Sequence, residues 1–236
     1  MKKKIMNDEF SSKMMEQLWI DIKGYPIPEN LSDVERSEIW NIHKRNKNLE
    51  FDFKFYKKFD VSDLKSEMLN IDDTFWKMDR TRQKKYTLHK DTECLSNTFF
   101  PLFYDDTFPI VVYKNNFLPK SIQKKTDEII TELENEFNGK VLNSNYVKLF
   151  SGGIIPRHID DIKYFQRVKR FQICIDSNPQ VYFNIGQTQI VFEEGDCYQI
   201  NNTKFHSVHN KGQTDRINLI VDIMPWEYIR ESYTIQ

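Results

Sequence analysis

Glycine is scarce in this chain of 236 residues, at seven, and cysteine scarcer, at three. Net charge is almost absent, at −1. Each shortage argues against something. Cys94, Cys174 and Cys197 are odd in number and unrelated in spacing. They suit buried free thiols in a reducing compartment better than a disulfide framework. A charge near zero provides no global field to draw in nucleic acid or an acidic membrane surface. No apolar run approaches membrane-span length. Met1-Lys2-Lys3-Lys4 leads through Ile5-Met6 into Asn7-Asp8-Glu9 rather than into an apolar signal core. Repeats and low-complexity tracts are missing as well. The expectation is a soluble, cytoplasmic protein with neither nucleic-acid nor membrane partners. The length fits one large domain with an N-terminal extension. We place the extension at 1–72, mostly helical and packed on the core, and the main domain at 73–236.

What is present changes character along the chain. Phe10, Met14, Leu18 and Trp19 suit a short amphipathic helix over 8–20, broken at Gly24-Tyr25-Pro26. Ser32-Asp33-Val34-Glu35 reads as a capping box opening a helix through about Lys44. Residues 50–60 alternate like a half-buried strand. Ser62 or Asp63 is a candidate cap for a helix over 64–69. Pro109–Tyr113 is a short buried strand. A helix over 121–138 carries Ile122, Ile129, Ile130, Leu133 and Phe137 as one stripe, ended by Asn138-Gly139. Strands then follow at 141–150, 153–158, 167–176, 180–185, 187–193, 197–201, 205–209 and 216–224, separated by turn signals such as Ser177-Asn178-Pro179 and Gly195-Asp196. Short strands at this spacing mean an antiparallel sandwich or barrel. With helices before them, the predicted fold is α+β, mainly β: a double-stranded β-helix (a cupin-like jelly roll) flanked by N-terminal helices.

The chemistry gathers in the second half. Gly152-Gly153 precedes His158 and Asp160, which lie two apart and so share one side of an extended segment. A second imidazole, from His206 or His209, would complete a 2-His-1-carboxylate set, which leaves metal positions open for substrates. His206 and His209 face opposite sides of a strand. Arg216 follows on a strand where Arg216, Asn218, Ile220 and Asp222 alternate with apolar Ile217, Leu219, Val221 and Ile223. An interior guanidinium there requires an anion, from a ligand or from a neighbouring Asp or Glu. His89 and Asp91 form a rival His-x-Asp pair, without a Gly-Gly approach or a matching downstream Arg. The basic run Arg80–Lys85 reads equally well as a solvated strand edge or as a place where Arg82 or His89 reaches a substrate anion.

Together, the Gly-Gly approach, His158-x-Asp160, a His 48 residues on and an Arg ten beyond that resemble the iron(II)- and 2-oxoglutarate-dependent oxygenases. More narrowly, the chain is similar to the aspartyl/asparaginyl β-hydroxylase-like family, which includes free-proline cis-hydroxylases. The likeness runs from about Thr74 to Pro225. It implies Fe(II), 2-oxoglutarate as co-substrate and O2. His158, Asp160 and His206 are the implied metal ligands, with His206 preferred over His209 by its distances to His158 and Arg216. Arg216 would grip the distal carboxylate of 2-oxoglutarate. Arg170-Phe171-Gln172 aligns with an Arg-x-His pair in the family, so Gln172 would meet the inner carboxylate in place of a His and Arg170 would face the substrate. Arg82 and Arg167 are further candidates for a substrate carboxylate. Vertebrate β-hydroxylases have a Gly where Asp160 stands, and some related halogenases also lack the carboxylate, so Asp160 favours hydroxylation over halogenation. The implied activity is hydroxylation of an amino-acid-like compound, free or peptidyl. The alternatives are a 2-oxoglutarate-dependent demethylase or desaturase, and a non-catalytic barrel that binds a small anion.

Overall fold

Alternation along one long strand decides how the molecule is layered. Ile217, Leu219, Val221 and Ile223 all point to one face, where they join Phe171, Ile173, Tyr146 and Leu95 under a cover of helices. Arg216, Asn218 and Asp222 occupy the opposite face and are nonetheless buried. A strand buried on both faces must lie inside a layered fold, with one face under helices and the other against a second sheet.

The computed structural model describes residues 15, 16, 19, 27–46, 49–78, 83, 84, 87–100, 110–160, 163–229 and 233–236. Its helices are α1 (Asp33–Asn46), α2 (Ser62–Asn70), α3 (Asp73–Lys77), α4 (Lys120–Glu136) and α5 (Lys163–Arg167). Its strands are β1 (Phe53–Lys58), β2 (Thr92–Phe99), β3 (Ile110–Lys114), β4 (Gly139–Leu149), β5 (Ile154–His158), β6 (Lys169–Asp176), β7 (Val181–Ile185), β8 (Thr188–Ile190), β9 (Asp196–Ile200), β10 (His206–Asn210), β11 (Arg216–Pro225) and β12 (Tyr233–Ile235). Eight of them form a large sheet in the order β1-β9-β6-β11-β4-β2-β3-β12, and four form a small one in the order β5-β10-β7-β8. Apart from the parallel β12–β3 pair, every pairing is antiparallel. This is the predicted jelly roll.

The core between the sheets takes Leu149, Cys174 and Ile200 from the large sheet and Phe183, Ile185 and Val208 from the small one. On the outer face, Ile122, Ile129, Ile130 and Leu133 of α4 form the predicted buried stripe. Burying each such side chain contributes roughly 1.5–3 kcal/mol. Asn138, at φ 47°, turns the chain out of the helix. Gly139 then passes so close to Met224 that a Cβ would lie 2.4 Å from the Met224 carbonyl oxygen.

The capping box at α1 is present: Ser32 Oγ accepts from Glu35 N at 3.3 Å, and Ser32 N donates to Glu35 Oε2 at 2.9 Å. The cap of α2 differs from expectation. Val61 holds the cap position without a side-chain bond, and Ser62 instead donates to Asp60 Oδ1. β1, within the expected extension, pairs with β9 as the edge of the large sheet, and α2 packs on that sheet's outer face. Of the helix expected over 8–20, Met15, Glu16 and Trp19 are described and helical. Met15 and Trp19 pack with Leu31 and Ile39 against Ile159 and Phe205, the neighbours of His158 and His206. All three cysteines are buried and outside any disulfide.

Candidate metal centre

The Gly-Gly approach works through backbone geometry. Gly152 takes φ 71°, the left-handed region that favours glycine. A Cβ on Gly153 would lie 2.8 Å from Phe150 O and 3.1 Å from Asp91 Cβ. The close approach lets Asp91 Oδ2 accept from Ile154 N at 3.1 Å and so aim the start of β5. Asp91 is thus a brace for this strand, and no metal-capable group among the described residues includes His89 or Asp91. Asn210 braces the other side. Its amide donates to the carbonyls of Leu149, Phe150 and Thr214, closing the turn that leads from β10 into β11.

β5 and β10 then pair so that His206 lies directly across from His158. The two rings have centroids 4.2 Å apart. Asp160 follows β5 and joins them: one ligand-type atom from each of the three lies within 4.8 Å of the others. Asp160 Oδ1 is 4.0 Å from His158 Nε2, and Oδ2 is 4.0 Å from His206 Nε2. His209, three further along β10, belongs to the opposite face and to no such group.

Hydrogen bonds orient both imidazoles. His158 Nδ1 lies 2.7 Å from Pro156 O, and His206 Nδ1 lies 2.9 Å from Lys204 O. A carbonyl only accepts, so each Nδ1 carries the proton and each Nε2 presents a lone pair towards Asp160. Burial also pulls the pKa of His206 down to about 4, against the counteracting carboxylate of Asp160, which keeps the ring neutral. Neutral imidazole nitrogens and a carboxylate converging on one point are the donor set for a divalent transition metal.

The inner face of the large sheet holds two guanidiniums. Arg216 is 3 % exposed, and among the described residues no carboxylate lies within ion-pair distance of it. Its guanidinium carbon is 5.8 Å from the Phe183 ring centre. Burial lowers its pKa to about 10, so it remains charged at neutral pH. Among the described residues, the intramolecular salt bridge considered from sequence is not formed. Nearby, Asn218 Nδ2 donates to Gln172 Oε1 at 2.8 Å, and Asn218 Oδ1 is buried without a partner. An unpaired buried cation beside an orphaned polar atom fits a site for a polar anion such as a dicarboxylate.

Arg170 is in a different state. Its Nε donates to Asp222 Oδ1 at 2.7 Å and its Nη2 to Asp222 Oδ2 at 2.8 Å, while Nη1 donates to Asp160. The guanidinium expected to face a substrate is thus held by two carboxylates. Asp222 is the residue that sequence reasoning missed. The available signal was its place on the Arg216 face of β11, where a buried carboxylate also needs a counter-charge. Arg167 ends α5 with its guanidinium 5.2 Å from the Tyr228 ring, and Arg82 lies outside the described residues.

The family model for aspartyl/asparaginyl β-hydroxylase matches residues 59–225. No curated protein gives a match. Among solved structures, an oxidoreductase of the 2OG-Fe(II) oxygenase family from Burkholderia pseudomallei is 10% identical with a TM-score of 0.51, covering 85% of this chain and 93% of its own. The viral collagen prolyl hydroxylase of Paramecium bursaria Chlorella virus-1, solved as a 2OG complex, is 13% identical with a TM-score of 0.44, covering 75% of this chain and 97% of its own. A Pseudomonas putida prolyl-4-hydroxylase is 8% identical with a TM-score of 0.45, covering 78% and 98%. The Burkholderia protein shares the fold, while the sequence match spans most of the barrel and includes both imidazoles, the carboxylate and both guanidiniums. On that match, the chain belongs to the aspartyl/asparaginyl β-hydroxylase family of iron(II)- and 2-oxoglutarate-dependent oxygenases.

Proposed function

We propose that this oxygenase hydroxylates an unactivated C–H bond of an amino-acid-like substrate, free or within a peptide, that carries a carboxylate. The observation that carries this reading is the pairing of two features between the same sheets: the His158–Asp160–His206 convergence and the buried Arg216, which has no carboxylate at ion-pair distance among the described residues. Iron held by His158, Asp160 and His206 would, with 2-oxoglutarate and dioxygen, supply the oxidising power to convert C–H to C–OH, with succinate and carbon dioxide as co-products.

The chain's residues do the rest. His158 and His206 offer Nε2, each held in that tautomer by a backbone carbonyl. Asp160 supplies the anionic ligand, and three protein ligands leave positions for the co-substrate and oxygen. Arg216 suits the distal carboxylate by two-point, charge-assisted bonding. Gln172, its amide oxygen engaged by Asn218, keeps its amide nitrogen to donate to the inner carboxylate. Arg167, on the helix whose Phe165 covers Arg170, is the described guanidinium that suits a substrate carboxylate.

The test is a screen of amino acids and short peptides with Fe(II) and 2-oxoglutarate, read as succinate release and a mass gain of one oxygen. At least one carboxylate-bearing compound is expected to gain the oxygen. His206→Ala is expected to abolish turnover and His209→Ala to retain it. Succinate release that survives His206→Ala but not His209→Ala would overturn the ligand assignment. Anion binding without turnover of any compound would favour the non-catalytic barrel.

A further inference from the structure

Arg170 lies on the inner face of β6, directly across from Asp222 of β11. Its contacts with Asp222 use Nε and Nη2, one edge of the fork, on both oxygens of a single carboxylate. That two-point geometry fixes the plane of the guanidinium as well as its position. The remaining nitrogen, Nη1, donates to Asp160 Oδ2. Asp160 Oδ1 is 4.0 Å from His158 Nε2, and Oδ2, the oxygen that accepts from Nη1, is 4.0 Å from His206 Nε2. The ring of Phe165 covers the guanidinium with its centre 4.4 Å from the guanidinium carbon. Asp222 is 1 % exposed.

We propose that Arg170 and Asp222 are positioning residues for the metal: Asp222 holds Arg170, and Arg170 holds Asp160 by Oδ2, so that Oδ1 faces His158 and Oδ2 faces His206. The inference rests on the reading of His158, Asp160 and His206 as the ligand set. It departs from the expectation that Arg170 anchors a substrate carboxylate. A substrate anion approaching Arg170 would meet two carboxylates already in place on its hydrogen-bonding nitrogens, and both would repel it.

Charge explains why two residues are needed. A guanidinium beside a dication would, alone, add repulsion and draw electron density from the ligating oxygen. Asp222 cancels that charge at bonding distance, so the guanidinium directs Asp160 without weakening the site's net attraction for a cation. Either element alone serves worse. Asp160 without Arg170 loses the bond that holds its Oδ2, and Arg170 without Asp222 loses the two bonds that fix its plane.

The experiment is Co(II) binding to the purified full chain, followed by calorimetry and by the visible d–d absorption of bound cobalt. Wild type, Asp222→Asn, Asp222→Glu, Arg170→Lys and His206→Ala are compared, each first checked for its fold by circular dichroism. Asp222→Asn and Arg170→Lys are expected to bind Co(II) about 10–100-fold more weakly. At saturating metal both should show altered d–d bands, because the carboxylate ligand has turned. Asp222→Glu, which keeps the charge, should recover part of the affinity. If Asp222→Asn does not fold, Arg170→Lys decides the matter, since it preserves the cation and removes only the fork. Affinity within twofold of wild type, with unchanged bands in a folded Arg170→Lys or Asp222→Asn, would overturn the proposal and leave the ligand set standing. Wild-type Co(II) binding that His206→Ala does not weaken would overturn the ligand set and this inference with it.

Discussion

Two guanidiniums on one sheet face have opposite surroundings. Arg170, on β6, is wedged between Asp222 and Asp160 and covered by Phe165. Arg216, at the start of β11, is buried against Phe183 with no carboxylate within ion-pair distance among the described residues. The same chemical group does different work at the two positions. Where the protein supplies the anions, the guanidinium is part of the scaffold and directs a neighbour. Where the described residues supply none, as at Arg216, the guanidinium is the one we propose for a ligand's anion. Burial by itself does not separate a structural Arg from a binding one, but the location of its counter-charge does.

Removing each cation should break the comparison with opposite signs. Arg170→Met leaves the buried Asp222 and the half-buried Asp160 without their cation. It is expected to lower the stability of the metal-free protein by about 3–5 kcal/mol in urea unfolding. Arg216→Met removes an unpaired buried charge and is expected to raise stability by roughly 1–3 kcal/mol. A loss of stability from Arg216→Met equal to that from Arg170→Met would mean that Arg216 has an intramolecular partner after all.

Binding should sharpen the same contrast. Arg216→Ala is expected to weaken 2-oxoglutarate binding by about 2–5 kcal/mol, since a carboxylate would then be buried without its cation. That corresponds to a roughly 30- to 4,000-fold rise in the required concentration. Titrating 2-oxoglutarate against succinate formation measures it, and an unchanged requirement would place the clamp elsewhere.

The smallest effect belongs to the Arg170 end of the site. His206 is held neutral by burial, with a pKa near 4 against an ordinary 6.5. The unfolded chain takes up a proton below 6.5 that the folded metal-free chain refuses until about pH 4. The stability contributed is therefore complete above pH 6.5 and falls as acid takes the pH down to 4, by at most roughly 3 kcal/mol. Urea unfolding at several pH values should show this slope in wild type and a shallower one in His206→Ala. Identical slopes would mean that His206 is not the group refusing the proton.

Much of this was legible in sequence because it rests on local pattern. Period-two alternation separated the apolar and polar faces of β11, and 3.6-residue periodicity gave the buried stripe of α4. The spacing of His158 and Asp160 put both on one side of an extended segment. The strand order in the chain and the jelly-roll class followed from turn chemistry. Other elements carry no such pattern. β2 and the short β12 were not read as strands, because their residues become strand-like only against β4 and β3. β1, in turn, gains its place in the large sheet from β9, far along the chain.

The partnerships within the site lay beyond local pattern altogether. Alternation places Arg170 and Asp222 on inner faces, yet whether they meet depends on the register of β6 against β11, which a bulge between Ile217 and Asn218 resets. A one-residue slip would turn every side chain of one strand to the opposite face and separate that pair. The choice of His206 over His209 likewise depends on which one β5 brings opposite His158. The sequence by itself determined which residues could carry charge or ligate a metal and which face of its strand each would take. Tertiary structure decided which of them touch, because contact across strands depends on register and sheet closure, and no short stretch of chain contains either.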